Sequence, residues 1–240
     1  MRSLTSSQLT AFSLLIQKRV YLWVIGLGLA MIFLSFQIIN NPQANIATVF
    51  FRGIAIAEVG EPSIQLPVAW VIYLIAPIFI IGTALIELWE KKAILLRGLQ
   101  YKKRIFFTIN LLCIACVTLS YVTLTSIWMY LANCFIRTND NLKINVKELT
   151  LLFICLVLNL LLLLLIHSII SLFNKALGVI GCSFIIILTP YTKISLYPLN
   201  LTMLSRYQEV PWLKAIVVLM LMIILMTTIY YLIFKNKEYN

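Results

Sequence analysis

Six apolar stretches, each near the length of a bilayer-spanning helix, constrain this chain more than any other feature: residues 20–39, 68–88, 105–131, 149–173, 176–192 and 212–234. A hydrocarbon layer of about 30 Å is crossed by roughly 20 apolar residues in α-helix, and a helix satisfies its own backbone hydrogen bonds there. The sequence therefore predicts an all-α, polytopic membrane protein with six transmembrane helices in a single domain. Composition agrees: 62% of residues are hydrophobic and only 11% charged, which excludes a disordered chain. No polar stretch is long enough to fold as a separate soluble domain. The fifth stretch is the shortest; it begins directly behind Asn174 and Lys175 and ends at Pro190, which does not continue a helix.

The formal net charge of +11 would point to nucleic acid in a soluble protein, but here the cations lie in short connections, where they set orientation. An inside N-terminus puts Arg2, Lys18, Arg19, Lys91, Lys92, Arg97, Lys102, Lys103, Arg104, Lys175, Lys235 and Lys237 on the inner side. Arg52, Arg137, Lys143, Lys147, Lys193, Arg206 and Lys214 then face outward. The richer side is expected to be cytoplasmic, with both termini on it. The first apolar run exceeds a signal-peptide core and is expected to be a retained anchor. Ahead of it, Thr5-Ser6-Ser7-Gln8 has capping-box spacing, with Leu9, Phe12 and Ile16 at helical intervals, predicting an N-terminal interfacial helix. The stretches 40–67 and 191–211 are too apolar to stand free in water and are expected to pack on the outer face; either suits a partly re-entrant helix.

The densest polar information is the connection from Glu87 to Arg104. Glu87 and Lys91 are spaced i, i+4 in the favourable order, and Ile94 and Leu95 can face apolar material while Lys91 and Lys92 stay wet. A short amphipathic helix is predicted, capped at Gly98, with Lys102, Lys103 and Arg104 anchoring the third span at the headgroups.

The order of features here resembles membrane subunits of type-2 ATP-binding-cassette exporters: Leu66-Pro67-x-x-Trp70 entering the second span, Gly82-Thr83-x-x-x-Glu87 near its end, Leu95-Leu96-Arg97, then Tyr101-Lys102-Lys103-Arg104. It is similar above all to small permeases of bacterial peptide and bacteriocin export or immunity systems. The specific part covers about forty residues, Leu66 to Arg104. The resemblance implies a permease in the bacterial cytoplasmic membrane that pairs with a second permease copy and rests on cytosolic ATPase subunits, which hold ATP and Mg. It also implies a cytosolic coupling helix between spans two and three, with Glu87, Glu90, Lys91, Lys92 and Arg97 as candidate ATPase contacts. The basic cluster Lys102, Lys103 and Arg104 departs from the single basic residue usual there.

The residues independently show that this chain lacks a motor. A phosphate-cradling loop needs Gly-x-x-x-x-Gly-Lys followed by Ser or Thr, and none of the eight glycines precedes a lysine. Among enzyme readings, Gly181-Cys182-Ser183 with His167 formally matches part of an intramembrane serine protease. However, Phe184 follows where a small residue is needed, and the histidine precedes the serine. A zinc protease is excluded by the single histidine. An ion-coupled carrier would retain an ionisable group near mid-bilayer, and no central one stands out. His167, Asn110 and Asn159 are expected to hydrogen-bond between helices, and Cys113, Cys116, Cys134, Cys155 and Cys182 to be packing residues without disulfides or metal. Gly26 and Gly28 permit close helix approach, and Pro77 with Gly82 offers a kink in the second span. Few fixed polar groups are available to replace hydration of a sugar or ion, so an amphipathic peptide is the expected cargo.

Overall fold

Helix is the only regular element among the described residues of the computed structural model, which are 2–38, 46–61, 65–88, 90, 103–135, 146–207 and 211–236. Seven helices carry labels here: α1 Arg2–Ile38, α2 Ile46–Phe51, α3 Val68–Ile81, α4 Lys103–Phe135, α5 Val146–Phe173, α6 Lys175–Leu188 and α7 Trp212–Asn236. Five segments are long and apolar enough to cross a membrane by length and composition: Gln8–Phe36, Val68–Leu88, Lys103–Cys134, Leu149–Phe173 and Trp212–Asn236. These fit a multi-pass helical membrane protein.

Two helices differ from the sequence expectation. The predicted interfacial helix and first span form one uninterrupted helix, α1, because no proline lies between Arg2 and Ile38. From Arg19 to Ile38 it rises about 28 Å at 1.5 Å per residue, so this part alone nearly matches a hydrocarbon layer. The fifth predicted span, 176–192, is the 14-residue α6 followed by a 3-10 turn at Thr189–Tyr191. Asn174 makes its abrupt start: the side-chain Oδ1 accepts from the N–H groups of Ala176 (2.9 Å) and Leu177 (3.3 Å), so α5 stops and α6 begins within one residue. Gly178 lets the two helices close up, since a Cβ there would lie 1.9 Å from Ser171 Oγ.

Hydrogen bonds fix the two ends of the bundle. At one, Lys175 Nζ meets Glu90 Oε2 at 2.9 Å, and Lys103 Nζ donates to the Lys235 carbonyl at 3.1 Å. At the other, Asn133 Oδ1 accepts from Ile46 N, Trp70 Nε1 donates to Thr202 Oγ1 (2.9 Å), and Ser205 N donates to the Arg52 carbonyl (3.0 Å). Arg206 ties this end together. Its fully buried guanidinium donates to the carbonyls of Ile54 (2.7 Å), Pro190 (2.8 Å) and Thr189 (3.4 Å) and to the side-chain oxygen of Asn200. The described parts of the two expected outer stretches, 40–67 and 191–211, are therefore one structure. Lys175 at the start of α6 pairs with Glu90, and Thr189 just past its end belongs to the Arg206 junction.

The core follows the broken helix α3, whose Trp70, Tyr73, Leu74, Ala76, Ile78 and Ile81 are all fully enclosed. Pro77 lies inside α3 without ending it. A proline there removes the N–H that would bond the Tyr73 carbonyl. Tyr121 of α4 supplies the replacement: its hydroxyl donates to Tyr73 O at 2.8 Å, while Tyr73 Oη and Thr125 Oγ1 are 3.0 Å apart. Serine and threonine hydroxyls elsewhere bond back along their own helices, as Thr118 to Ile114 O and Ser168 to Leu164 O.

Removing that hydroxyl by Y121F should destabilise the protein by about 1–3 kcal/mol, the usual cost of a bare buried acceptor. The loss should shrink in a P77A background, where a restored N–H can bond Tyr73 O. Thermal unfolding of the four proteins in detergent measures this coupling, and strictly additive losses would refute it.

Candidate functional site

The chain leaves α3 through a glycine. Gly82 adopts φ 46° and ψ −124°, a conformation that other residues avoid, and its N–H still bonds Ile78 O. Helix then resumes over residues 84–88, with Thr83 O accepting from the N–H groups of Ile86 (3.0 Å) and Glu87 (2.9 Å). Thr83 Oγ1 also donates to the Glu87 carboxylate, tying the two side chains together across the new turn. The second predicted span is thus two helical pieces hinged at one residue.

Two groups from other helices reach the segment on either side of Gly82. Arg19 of α1 reaches the end of α3, where its Nη1 lies 3.4 Å from the Ile81 carbonyl. A cation there opposes the negative end of the helix dipole. Lys175, the first residue of α6, would be unfavourable beside that helix's positive end, and the Glu90 carboxylate offsets it. Both side chains of this pair are nearly half exposed, so the bond is weak and screened by salt.

Behind the hinge is a buried polar cluster. Gly82, Leu85 and Ile86 border a cavity of about 10 Å³ together with Asn110 of α4, His167 and Ser171 of α5, and Tyr230 of α7. That volume is near the minimum for one water molecule. Asn110 Nδ2 donates to Tyr230 Oη at 3.2 Å, the expected bond between helices. His167 Nε2 lies 3.3 Å from Ser171 Oγ on its own helix, and its Nδ1 has no hydrogen-bond partner among the described residues. Asn159 likewise bonds its own helix, donating to Cys155 O at 2.8 Å. The hydrogen bond described for the imidazole is therefore to Ser171 and not to the Ser183 of the protease-like motif. Cys182 Sγ instead approaches Leu163 O at 3.7 Å.

Of the residues singled out as ATPase contacts, Glu87 and Glu90 are described: one accepts from the Thr83 hydroxyl and the other pairs with Lys175. Lys91, Lys92, Arg97, the predicted cap Gly98 and Lys102 lie outside the described residues. Lys103 and Arg104 open α4 with exposed side chains, at the same end as Glu90 and Lys175. Sequence reasoning missed Arg19 as a cap for α3 and Lys175 as partner to Glu90, since both contacts join residues more than sixty positions apart. Among the described residues no group of three or more His, Cys, Asp or Glu could hold a metal ion.

The substitution G82A should cost about 1–3 kcal/mol through backbone strain. Its Cβ would also lie 2.6 Å from Arg19 Nη1. Trimming the arginine in a G82A/R19A protein should relieve only the contact, so most of the loss should remain in thermal unfolding; complete recovery would show that Gly82 is needed for space and not for its dihedral angles. No protein-family model, curated protein or solved structure matches the chain.

Proposed function

We propose that this chain is the permease subunit of an ATP-binding-cassette exporter, crossing the bacterial cytoplasmic membrane six times with both termini in the cytosol. It moves an amphipathic or antimicrobial peptide, paired with a second permease copy and driven by separate ATPase subunits. The observation that carries this reading is the hinge at Gly82, set between a buried span and the chain's most cationic connection. A segment pushed by a partner must turn against the helix it continues, and one residue with glycine's freedom provides that joint.

In this reading, closure of the ATPase pair presses on the connection after Glu90. The piece over residues 83–90 turns about Gly82, exchanging the screened Glu90–Lys175 pair for contacts with the partner. Arg19 and the Asn110–Tyr230 bond hold the fixed side of the joint, so that motion passes into α3 and α4. The sixth crossing is α6 with its 3-10 turn, together about 27 Å by their rises per residue. The absence of a phosphate-binding loop in the sequence fits a chain that borrows its energy.

Charge reversal at K91E/K92E should abolish co-purification of a co-expressed ATP-binding-cassette ATPase partner, while the variant remains in the membrane fraction. Retained co-purification would remove the docking role from this connection. Transport of peptide into vesicles by the lone chain without nucleotide would remove the exporter reading as a whole.

A further inference from the structure

Away from the hinge, α5, α6 and α7 and the 3-10 turn Pro198–Thr202 border a cavity of about 190 Å³. The buried Leu162, Leu163 and Leu199 form its floor, and the half-buried Ile166, Ile185 and Met222 form its rim. No charged residue lines it among the described residues. Beside Met222, α7 exposes Leu221, Ile224 and Leu225, so the mouth opens on the apolar outer surface of the bundle.

One atom in this wall is out of keeping with the rest. Asn159 of α5 lines the cavity and is fully buried, with Nδ2 tied back to Cys155 O on its own helix. The other branch of the amide, Oδ1, has no hydrogen-bond partner among the described residues; Tyr197, which also lines the cavity, does not supply one. A bare amide oxygen among apolar groups is costly. Water does not relieve it, since a buried water is held by roughly two to four polar partners and this wall offers one. A lipid chain would fill the space and leave the oxygen bare. An apolar molecule carrying one N–H or O–H group suits both the walls and the acceptor. As to size, an apolar cavity of roughly 150 Å³ takes up benzene. A rigid ring also gives up less freedom on binding than a flexible chain.

We propose that this cavity binds one uncharged, compact ring molecule of about indole's size, which enters from the apolar outer surface and donates its single N–H or O–H to Asn159 Oδ1. Neither the exporter reading nor the hinge is needed for this site.

Equilibrium dialysis of the full chain, with the same detergent on both sides, compares indole with benzofuran, which keeps the bicyclic shape but has an oxygen in place of the N–H. The unaltered protein should bind one indole, about tenfold more tightly than benzofuran. N159L should bind the two equally, because the acceptor is gone. M222W, which fills the mouth from a half-buried position, should bind neither. I185F on α6 provides the same block should M222W fail to fold. Equal binding of the two compounds by the unaltered protein would make the cavity a plain apolar slot for lipid chains and overturn the proposal. Absence of indole binding, a preference for indole that survives N159L, or indole binding that survives both rim substitutions overturns it equally.

Discussion

A carbonyl or amide that lacks a partner is tolerated at a wet surface and costs several kcal/mol in hydrocarbon. In a chain with so little polar material, each departure from regular helix must bring its own replacement hydrogen bonds, and the architecture follows from where those come from. Pro77 frees the Tyr73 carbonyl and Tyr121 occupies it. The unwinding after α6 leaves the Pro190 carbonyl to Arg206, which also joins Thr192 at the Thr189 carbonyl and reaches Ile54 in a distant segment. The break at Gly82 leaves the Ile81 carbonyl to Arg19. Each repair joins elements far apart in sequence, so the same bonds that satisfy the backbone also fix how the helices are arranged.

The two ends of the bundle use this logic differently. At the Arg206 end the repairs are buried and numerous, four acceptors on one guanidinium, which makes a firm junction between segments that are otherwise loop-like. At the Lys175 end the groups are exposed or singly bonded, and the local break is a glycine. The asymmetry is one that the proposed exporter would use, with the glycine break where a push would arrive and the many-bonded junction at the opposite end.

Much of the fold was legible because hydrophobic length is a strong signal: α4, α5 and α7 fall within a few residues of the stretches 105–131, 149–173 and 212–234. The hinge was half legible, since Pro77 and Gly82 were both suspected, yet only the dihedral angles show that the proline is accommodated and the glycine is the break. The merging of the entry helix into α1 was not legible, because Lys18 and Arg19 imitate a boundary while nothing in the backbone interrupts the helix. Partners such as Arg19 with Ile81 O, Lys175 with Glu90 and Arg206 with Ile54 O depend on which helices adjoin, and that information is absent from periodicity and spacing.

The brevity of α6 bears on the lipid around it. Leu177, Ile180, Phe184 and Ile187 point out of the bundle on a helix only about 21 Å long, whereas its neighbours offer taller apolar walls. With α6 as the proposed sixth crossing, such a mismatch would be relieved by local thinning of the surrounding acyl chains, at a fraction of a kcal/mol per Å. A flank of that kind would make the energetics of the proposed transport cycle responsive to how thick a membrane the protein inhabits.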